Sequence, residues 1–186
     1  SNKQLDRFCK PNGILGTHPD YGTPGIYAST GSLGHGAGLA VGRAYAKKAM
    51  KQKGFVICLL SDGELQEGST WEAVMMAANK KLDNLIFFVD NNDFSGLERM
   101  SVSHKAFYPI DKKFSSFGWQ TSKVDGHNYN QINNCFKKKN LKPKVIICKT
   151  IKGKGVSFME NIPIWHYRSP NEKELINALK ELDNEK

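Results

Sequence analysis

Long apolar runs are missing from this chain of 186 residues. No stretch approaches the length needed to span a bilayer, and the opening SNKQLDRFCK carries no apolar segment of the kind that directs secretion. Cysteine is scarce. Cys9, Cys58, Cys135 and Cys148 show neither zinc-ligand nor Cys-x-x-Cys spacing, so the expectation is reduced thiols in a cytosolic protein, with Cys58 and Cys148 inside buried strands. Internal repeats and low-complexity linkers are also absent, and the simplest organisation is one domain over residues 1–186. Acidic residues are outnumbered: 27 Lys and Arg face 18 Asp and Glu, a formal net charge of +9. Yet the lysines, as in KKAMKQK and FKKKN, are spread along helices and loops without interleaved aromatics or a DNA-reading motif. They read as solvated faces with an attraction for phosphorylated substrates, not as a nucleic-acid surface.

What is present is a strand–helix–strand unit with oxygen ligands at its strand ends. Phe55 to Leu60, FVICLL, reads as a buried parallel strand ending in Asp62-Gly63, and Leu85 to Val89, LIFFV, as the next strand, ending in Asp90-Asn91-Asn92. STWEAVMMAANKKL between them has apolar residues at helical spacing, which makes a βαβ unit. Asp62 and Asn92 then emerge at one carboxyl edge, where open α/β sheets bind ligands. Each taken alone reads better as a simple turn residue.

The remaining elements follow from composition and pattern. Residues 1–30 are rich in Gly, Pro, Asn and Thr and read as loop over a site. GSLGHGAGLAVGRAYAKKAMKQK is a glycine-rich turn entering a helix, with Leu39, Val41 and the Ala44 to Ala46 region able to pack on the sheet. SGLERMSVSHKAFYP is expected to be a polar connection, DKKFSSFG a short helix, and WQTSKV a strand ending in the turn Asp125-Gly126-His127-Asn128. A helix near Asn130 to Lys139, the strand KVIICKT, the KGKG loop and a terminal helix with a Leu175, Ile176, Leu179 stripe complete the chain.

In order along the sequence, THPDYGTPGIYASTGSLGHGAGLAVGRAYA, SDGELQEGSTWEA, KLDNLIFFVDNN, VDGHN, KPKVIICKTIKGKGV and IWHYRSP resemble the transketolase family, from about Leu15 to the end of the chain. SDG stands where thiamine diphosphate enzymes open their cofactor motif with Gly-Asp-Gly. The resemblance implies an α/β thiamine diphosphate-binding fold, a mostly parallel sheet flanked by helices. It implies Mg²⁺ held by Asp62, the Asn92 side-chain oxygen and the Phe94 carbonyl. Diphosphate oxygens and water would complete the shell, as this ion prefers. Gly63, lacking a Cβ, would let its N–H approach the diphosphate. Gly31 and Leu33 would lie beside the cofactor's rings, and Lys152 would contact the cofactor as lysine does in animal-type members.

His166 matches the histidine of the family's Trp-His-Gly signature, with Tyr167 in place of glycine. His18 matches that of Gly-His-Pro, with Thr17 in place of glycine. His166 would lie near the diphosphate and the reacting carbons as a cofactor contact, and His18 would contact the sugar hydroxyls, where a histidine can move protons; a capping or turn role is the alternative for His18. Glu67 matches a glutamate at the dimer partner, bonded to the glutamate that activates the aminopyrimidine; an ordinary helix N-terminal glutamate is the alternative. His35 stands where many members carry Gln, and its role is left open.

Thiamine catalysis needs that second glutamate, which in the family belongs to a separate pyrimidine-binding domain, and no second α/β domain follows Thr150. The resemblance is therefore closest to the N-terminal subunit of split transketolases. It implies a cofactor at an interface with a pyrimidine-domain subunit, sugar phosphate substrates, and a heterotetramer or similar dimer of pairs. Members also carry a helical segment and two histidine loops ahead of the region matching LDRFCKPNGILGTHPD. With Ser1 first, the domain is expected to be incomplete at its N-terminus, as a fragment or by true absence. The expected activity is two-carbon ketol transfer. The alternatives are a deoxyxylulose phosphate synthase or 2-oxo acid dehydrogenase component, or a non-catalytic assembly or regulatory subunit.

Overall fold

The computed structural model describes residues 2–137 and 140–184. Four parallel strands form the sheet: β1 (Val56–Ser61), β2 (Leu85–Asn91), β5 (Gln120–Asp125) and β6 (Lys144–Lys149), in the order β1-β2-β6-β5. A short antiparallel hairpin, β3 (Phe94–Ser95) with β4 (Glu98–Arg99), lies just beyond the end of β2. Helices α1 (His35–Ala49), α2 (Gly68–Asn79), α3 (Met100–Ser103), α4 (Ile110–Ser116), α5 (Tyr129–Lys137) and α6 (Glu172–Asn184) complete the fold. Lys138 and Lys139, the end of the helix expected to Lys139, lie outside the described residues.

Two apolar layers flank the sheet. On one face Val41 and Ala44 of α1, Val74 and Ala77 of α2, and Phe114 of α4 pack on Leu60, Phe87, Val89, Val145 and Ile147. Trp119 joins them, its ring 4.8 Å from that of Phe87 and its Nε1 donating to the Val74 carbonyl at 2.9 Å. On the other face Cys135 and Phe136 of α5 meet Ile86, Phe88, Ile146 and Cys148. Chain direction along the sheet reverses between β2 and β6, because β5 is laid down outermost and β6 returns between it and β2. In such sheets the crevice at the carboxyl ends beside the reversal is the ligand site. The β2–β6 register brings Asn91 opposite Lys149 there.

Several expectations are corrected by this arrangement. FVICLL is not buried on both faces: β1 is an edge strand, and Ile57 and Leu59 are 54% and 73% exposed. Cys58 is only partly buried for the same reason, whereas Cys148 is buried; all four cysteines are free. Leu39 points outward from α1, while Val41 and Ala44 face the sheet. The stretch read as a polar connection folds into the β3–β4 hairpin and α3, anchored by fully buried Met100. The α6 stripe of Leu175, Ile176 and Leu179 is exposed, and its packing residue is Ala178. No helix among the described residues is long and apolar enough to cross a membrane.

Candidate functional site

Strand β1 delivers Asp62 to the carboxyl edge, and the chain turns at once into the 3-10 segment Gly63–Gln66. Asp62 is fully buried. Its Oδ1 accepts from the Gly63 amide at 2.9 Å and its Oδ2 from the Asp93 amide at 2.7 Å, so each oxygen keeps a further lone pair. Burial, reinforced by nearby Asp90 and Asp93, outweighs those two amides and pushes the carboxyl up to about 6. A buried anion whose charged neighbours are also anionic is stabilised by a cation.

Strand β2 runs alongside, with Asp90 opposite Ser61. Beyond it, Asn92 Oδ1 accepts from the Phe94 amide at 2.9 Å, an Asx-type turn, and Phe94 opens β3. The donors expected at this turn are one carboxylate, one carboxamide oxygen and one backbone carbonyl. All are hard oxygens, and they are too few to enclose an ion alone. That fits Mg²⁺, which keeps waters and shares its shell with phosphate oxygens. Among the described residues, no group of three or more His, Cys, Asp and Glu side chains is arranged to hold a metal by itself. Gly63 is buried under β3: an added Cβ would stand 3.1 Å from Ser95 Oγ and 3.3 Å from its Cα.

Asp93, between Asn92 and Phe94, is held from several sides. Its carboxylate accepts from Ser101 N at 2.8 Å, Ser101 Oγ at 2.7 Å and Tyr108 Oη at 3.1 Å, with Arg99 at 3.6 Å. Burial opposes the charge, but the Ser101 and Tyr108 hydrogen bonds and Arg99 outweigh it and hold the carboxyl below its ordinary value. Burial, followed by the charges of Asp62 and Asp93, pushes the Tyr108 phenol upward, which keeps it a donor.

A second group of residues lines a cleft of about 1100 Å³ beside α1 and β1. His18, Gly31, Leu33 and Glu64 all border it. Gly31 has φ 127°, and a Cβ there would lie 2.8 Å from His18 Cγ, so the imidazole rests on the glycine backbone. Leu33 is exposed at this cleft, and His35 is the first residue of α1, its Nδ1 3.3 Å from the Leu33 carbonyl. Glu64 was not anticipated. Ser61-x-x-Glu64 forms a capping box, with Ser61 Oγ accepting from Glu64 N at 3.0 Å and Glu64 Oε2 from Ser61 N at 3.4 Å. Its other oxygen accepts from the Gly34 amide at 2.8 Å. The S-x-x-E spacing was the available signal. For Asp93 the sequence carried no comparable one, since its partners lie on the segment read as a connection.

Glu67 is the N-cap of α2 through its backbone and is exposed; its carboxylate makes no hydrogen bond or ion pair among the described residues. It packs against the glycine loop, for a Cβ on Gly34 would come within 2.9 Å of Glu67 Cβ. Lys152 and His166 lie beyond β6. His127 Nε2 accepts from the Ile151 amide at 2.9 Å and the Lys152 carbonyl accepts from Asn161 N at 2.8 Å, which anchors that loop. His166 ends the 3-10 turn Pro163–His166 and is exposed. Among the described residues no hydrogen bond joins either side chain to Asp62, Asn92 or His18. The structure therefore assembles Asp62, Gly63, Asn92 and Phe94 in one turn system, and His18, Gly31 and Leu33 around one cleft. Lys152 and His166 lie on the segment after β6, where Ile151 and Asn161 border a cleft shared with Asn92 and Asp93.

Comparison with known proteins places this geometry in a family. The chain is 40% identical over 184 residues to an apulose-4-phosphate transketolase subunit of Actinobacillus succinogenes, covering 97% of this chain and 66% of that protein. It is 36% identical over 185 residues to the 6-deoxy-6-sulfo-D-fructose transketolase subunit SqwG of Clostridium sp., covering 97% and 67%. The crystal structure of transketolase from Campylobacter jejuni superimposes with a TM-score of 0.86 at 30% identity, over 98% of this chain and 30% of that one. The chain thus spans about two thirds of the length of the subunit relatives. Residues 2–182 match the family described as transketolase, thiamine diphosphate binding domain, and the chain belongs to that family.

Proposed function

We propose that this chain is the cofactor- and metal-binding part of a split transketolase, a single diphosphate-binding domain that moves a two-carbon ketol unit between sugar phosphates together with a pyrimidine-domain subunit. The observation that carries the reading is the fully buried Asp62 carboxylate, pushed up to about 6 by burial, on a turn it shares with Asn92 and Phe94. Asp62, Asn92 and Phe94 would ligate Mg²⁺ through oxygen, with Gly63 beside the diphosphate and Lys152 adding positive charge. Gly31 and Leu33 would bear on the cofactor's rings. Thiamine diphosphate supplies, when bound, an electron sink for carbon–carbon cleavage.

The remaining residues orient and move protons. His18, held flat on Gly31, would present an imidazole nitrogen to the sugar hydroxyls, and His166 would reach the reacting carbons from its exposed turn. Glu67, exposed and without an internal partner among the described residues, would meet the other subunit. A heterotetramer, a dimer of such pairs, is the corresponding assembly, and a cytoplasmic location suits its substrates. Calorimetric titration of Mg²⁺ and thiamine diphosphate into the assembled pair tests the reading. Asp62→Ala abolishes binding without unfolding the chain if Asp62 is a ligand; wild-type affinity in that variant refutes the site.

A further inference from the structure

Asp93 occupies a backbone position that a side chain normally avoids. Its φ is 70°, in the left-handed region that non-glycine residues seldom enter and that Asp and Asn tolerate best. It is also the residue between the two turn positions assigned to the cation. Three parts of it are engaged at once. The amide donates to Asp62 Oδ2 at 2.7 Å, and the carbonyl accepts from Met100 N at 3.0 Å. The carboxylate takes Ser101 N, Ser101 Oγ and Tyr108 Oη, at 2.8, 2.7 and 3.1 Å.

The two ends of this arrangement are anchored differently. Fully buried Met100 holds the carbonyl, and Ser101 of α3 and Tyr108, from the segment leading into α4, hold the carboxylate, so both are tied to structure outside the turn. The amide, in contrast, points back into the turn and fixes one oxygen of Asp62. Holding the carboxylate therefore holds φ, and holding φ aims the amide. We infer that Asp93 is a positioning residue, which keeps the Asn92–Phe94 turn and the Asp62 carboxylate in their cation-binding arrangement before any ligand arrives. The inference rests on the reading that this turn holds Mg²⁺. Residues that orient metal ligands without touching the ion typically contribute about 10–100-fold to affinity.

A residue that merely capped α3 would affect stability and leave the cation alone, and three substitutions separate the two roles. Asp93→Ala loses both the tether and the tolerance for this φ. Asp93→Gly takes the φ without strain but has no tether. Asp93→Asn retains an acceptor for Ser101. Mg²⁺ affinity is measured by titration in the presence of thiamine diphosphate on the chain assembled with its pyrimidine-domain subunit, and amide exchange at Asp93 and Phe94 on the ligand-free chain. Affinity is expected to fall about 10–100-fold in Asp93→Ala, less in Asp93→Gly and least in Asp93→Asn, with faster exchange at both amides in the same order and β5 still protected. Unchanged affinity or unchanged exchange in Asp93→Gly overturns the inference, and this variant decides even if Asp93→Ala fails to fold. Absence of Mg²⁺-dependent binding in the wild type instead overturns the metal site itself, a failure visible before any variant is made.

Discussion

The Glu64 carboxylate and the Gly34 amide meet at 2.8 Å across 30 residues of sequence. The contact ties the glycine loop at the start of α1 to the turn that carries Asp62. Gly34 is itself left-handed, at φ 80°, and α1 has no side-chain cap of its own. Glu64 thus supplies from another element what the helix terminus lacks, while its second oxygen closes the capping box on Ser61.

Replacing Glu64 with Ala leaves the Gly34 amide and the Ser61 amide without their acceptor. The expected loss is about 1–3 kcal/mol of unfolding free energy, read by urea denaturation, because these partly buried donors are not fully rehydrated. Glu64→Gln retains one acceptor oxygen and should recover part of it. Wild-type stability in Glu64→Ala would mean that water replaces the carboxylate.

Gly31→Ala tests how His18 is seated. An added methyl would lie 2.8 Å from His18 Cγ at a φ of 127° that alanine does not accept comfortably. The imidazole is expected to be displaced and the loop destabilised by about 1–3 kcal/mol. If His18 acts on substrate, turnover in the assembled enzyme should fall more than cofactor affinity. Equal losses in both would assign the loop a packing role alone.

Much of this was legible because apolar pattern and strand-end chemistry coincide. VICLL and LIFFV mark two parallel strands, and Asp62 and Asn92 fall where parallel strands put their ligands. Strand order is another matter. A continuous apolar run implies burial on both faces, yet Ile57 and Leu59 are exposed because β1 ends the sheet, a property of topology that no local window contains. The hairpin and α3 were illegible for a different reason. Their polar residues surround two buried anchors, Phe94 and Met100, and their order depends on Asp93 reaching across eight positions to Ser101. Lys152 and His166 were recognisable only by resemblance, since loop residues carry no periodicity.

Stability on the acid side should depend on Asp111 and Lys123. Lys123 Nζ lies 2.7 Å from Asp111 Oδ1, joining α4 to β5. The Lys123 ammonium beside it holds the Asp111 carboxyl below its ordinary value, against the opposing effect of burial. A depressed carboxylate contributes stability that is present above its unfolded value of about 3.9 and is lost as pH falls through the lower folded one. Lys123→Gln should therefore lower stability above about pH 4 and lose less of it on acidification. The pair is partly exposed, so the difference is at most about 1 kcal/mol. Parallel acid-denaturation curves for the two proteins would show that the pair contributes nothing.

The last prediction concerns Glu67 and the second subunit. Glu67 lies against Gly34, exposed and without a hydrogen bond or ion pair of its own among the described residues, at the start of α2. An ionised carboxylate in that setting can accept a hydrogen bond from a protonated group on a neighbouring chain. In the proposed enzyme that group is the glutamate that activates the aminopyrimidine, and Glu67→Gln would change both the charge and the polarity of the bond. Losing a charge-assisted hydrogen bond at a desolvated interface costs about 1.5–3 kcal/mol, which corresponds to roughly 10- to 100-fold in rate. The variant should retain its fold and Mg²⁺-dependent cofactor binding in the assembled pair while ketol transfer falls by that factor. The chain alone should be inactive, and adding the pyrimidine-domain subunit should restore turnover. Efficient transfer by the purified single chain, or full activity of Glu67→Gln with its partner, would remove Glu67 from the interface and leave it an ordinary residue at a helix start.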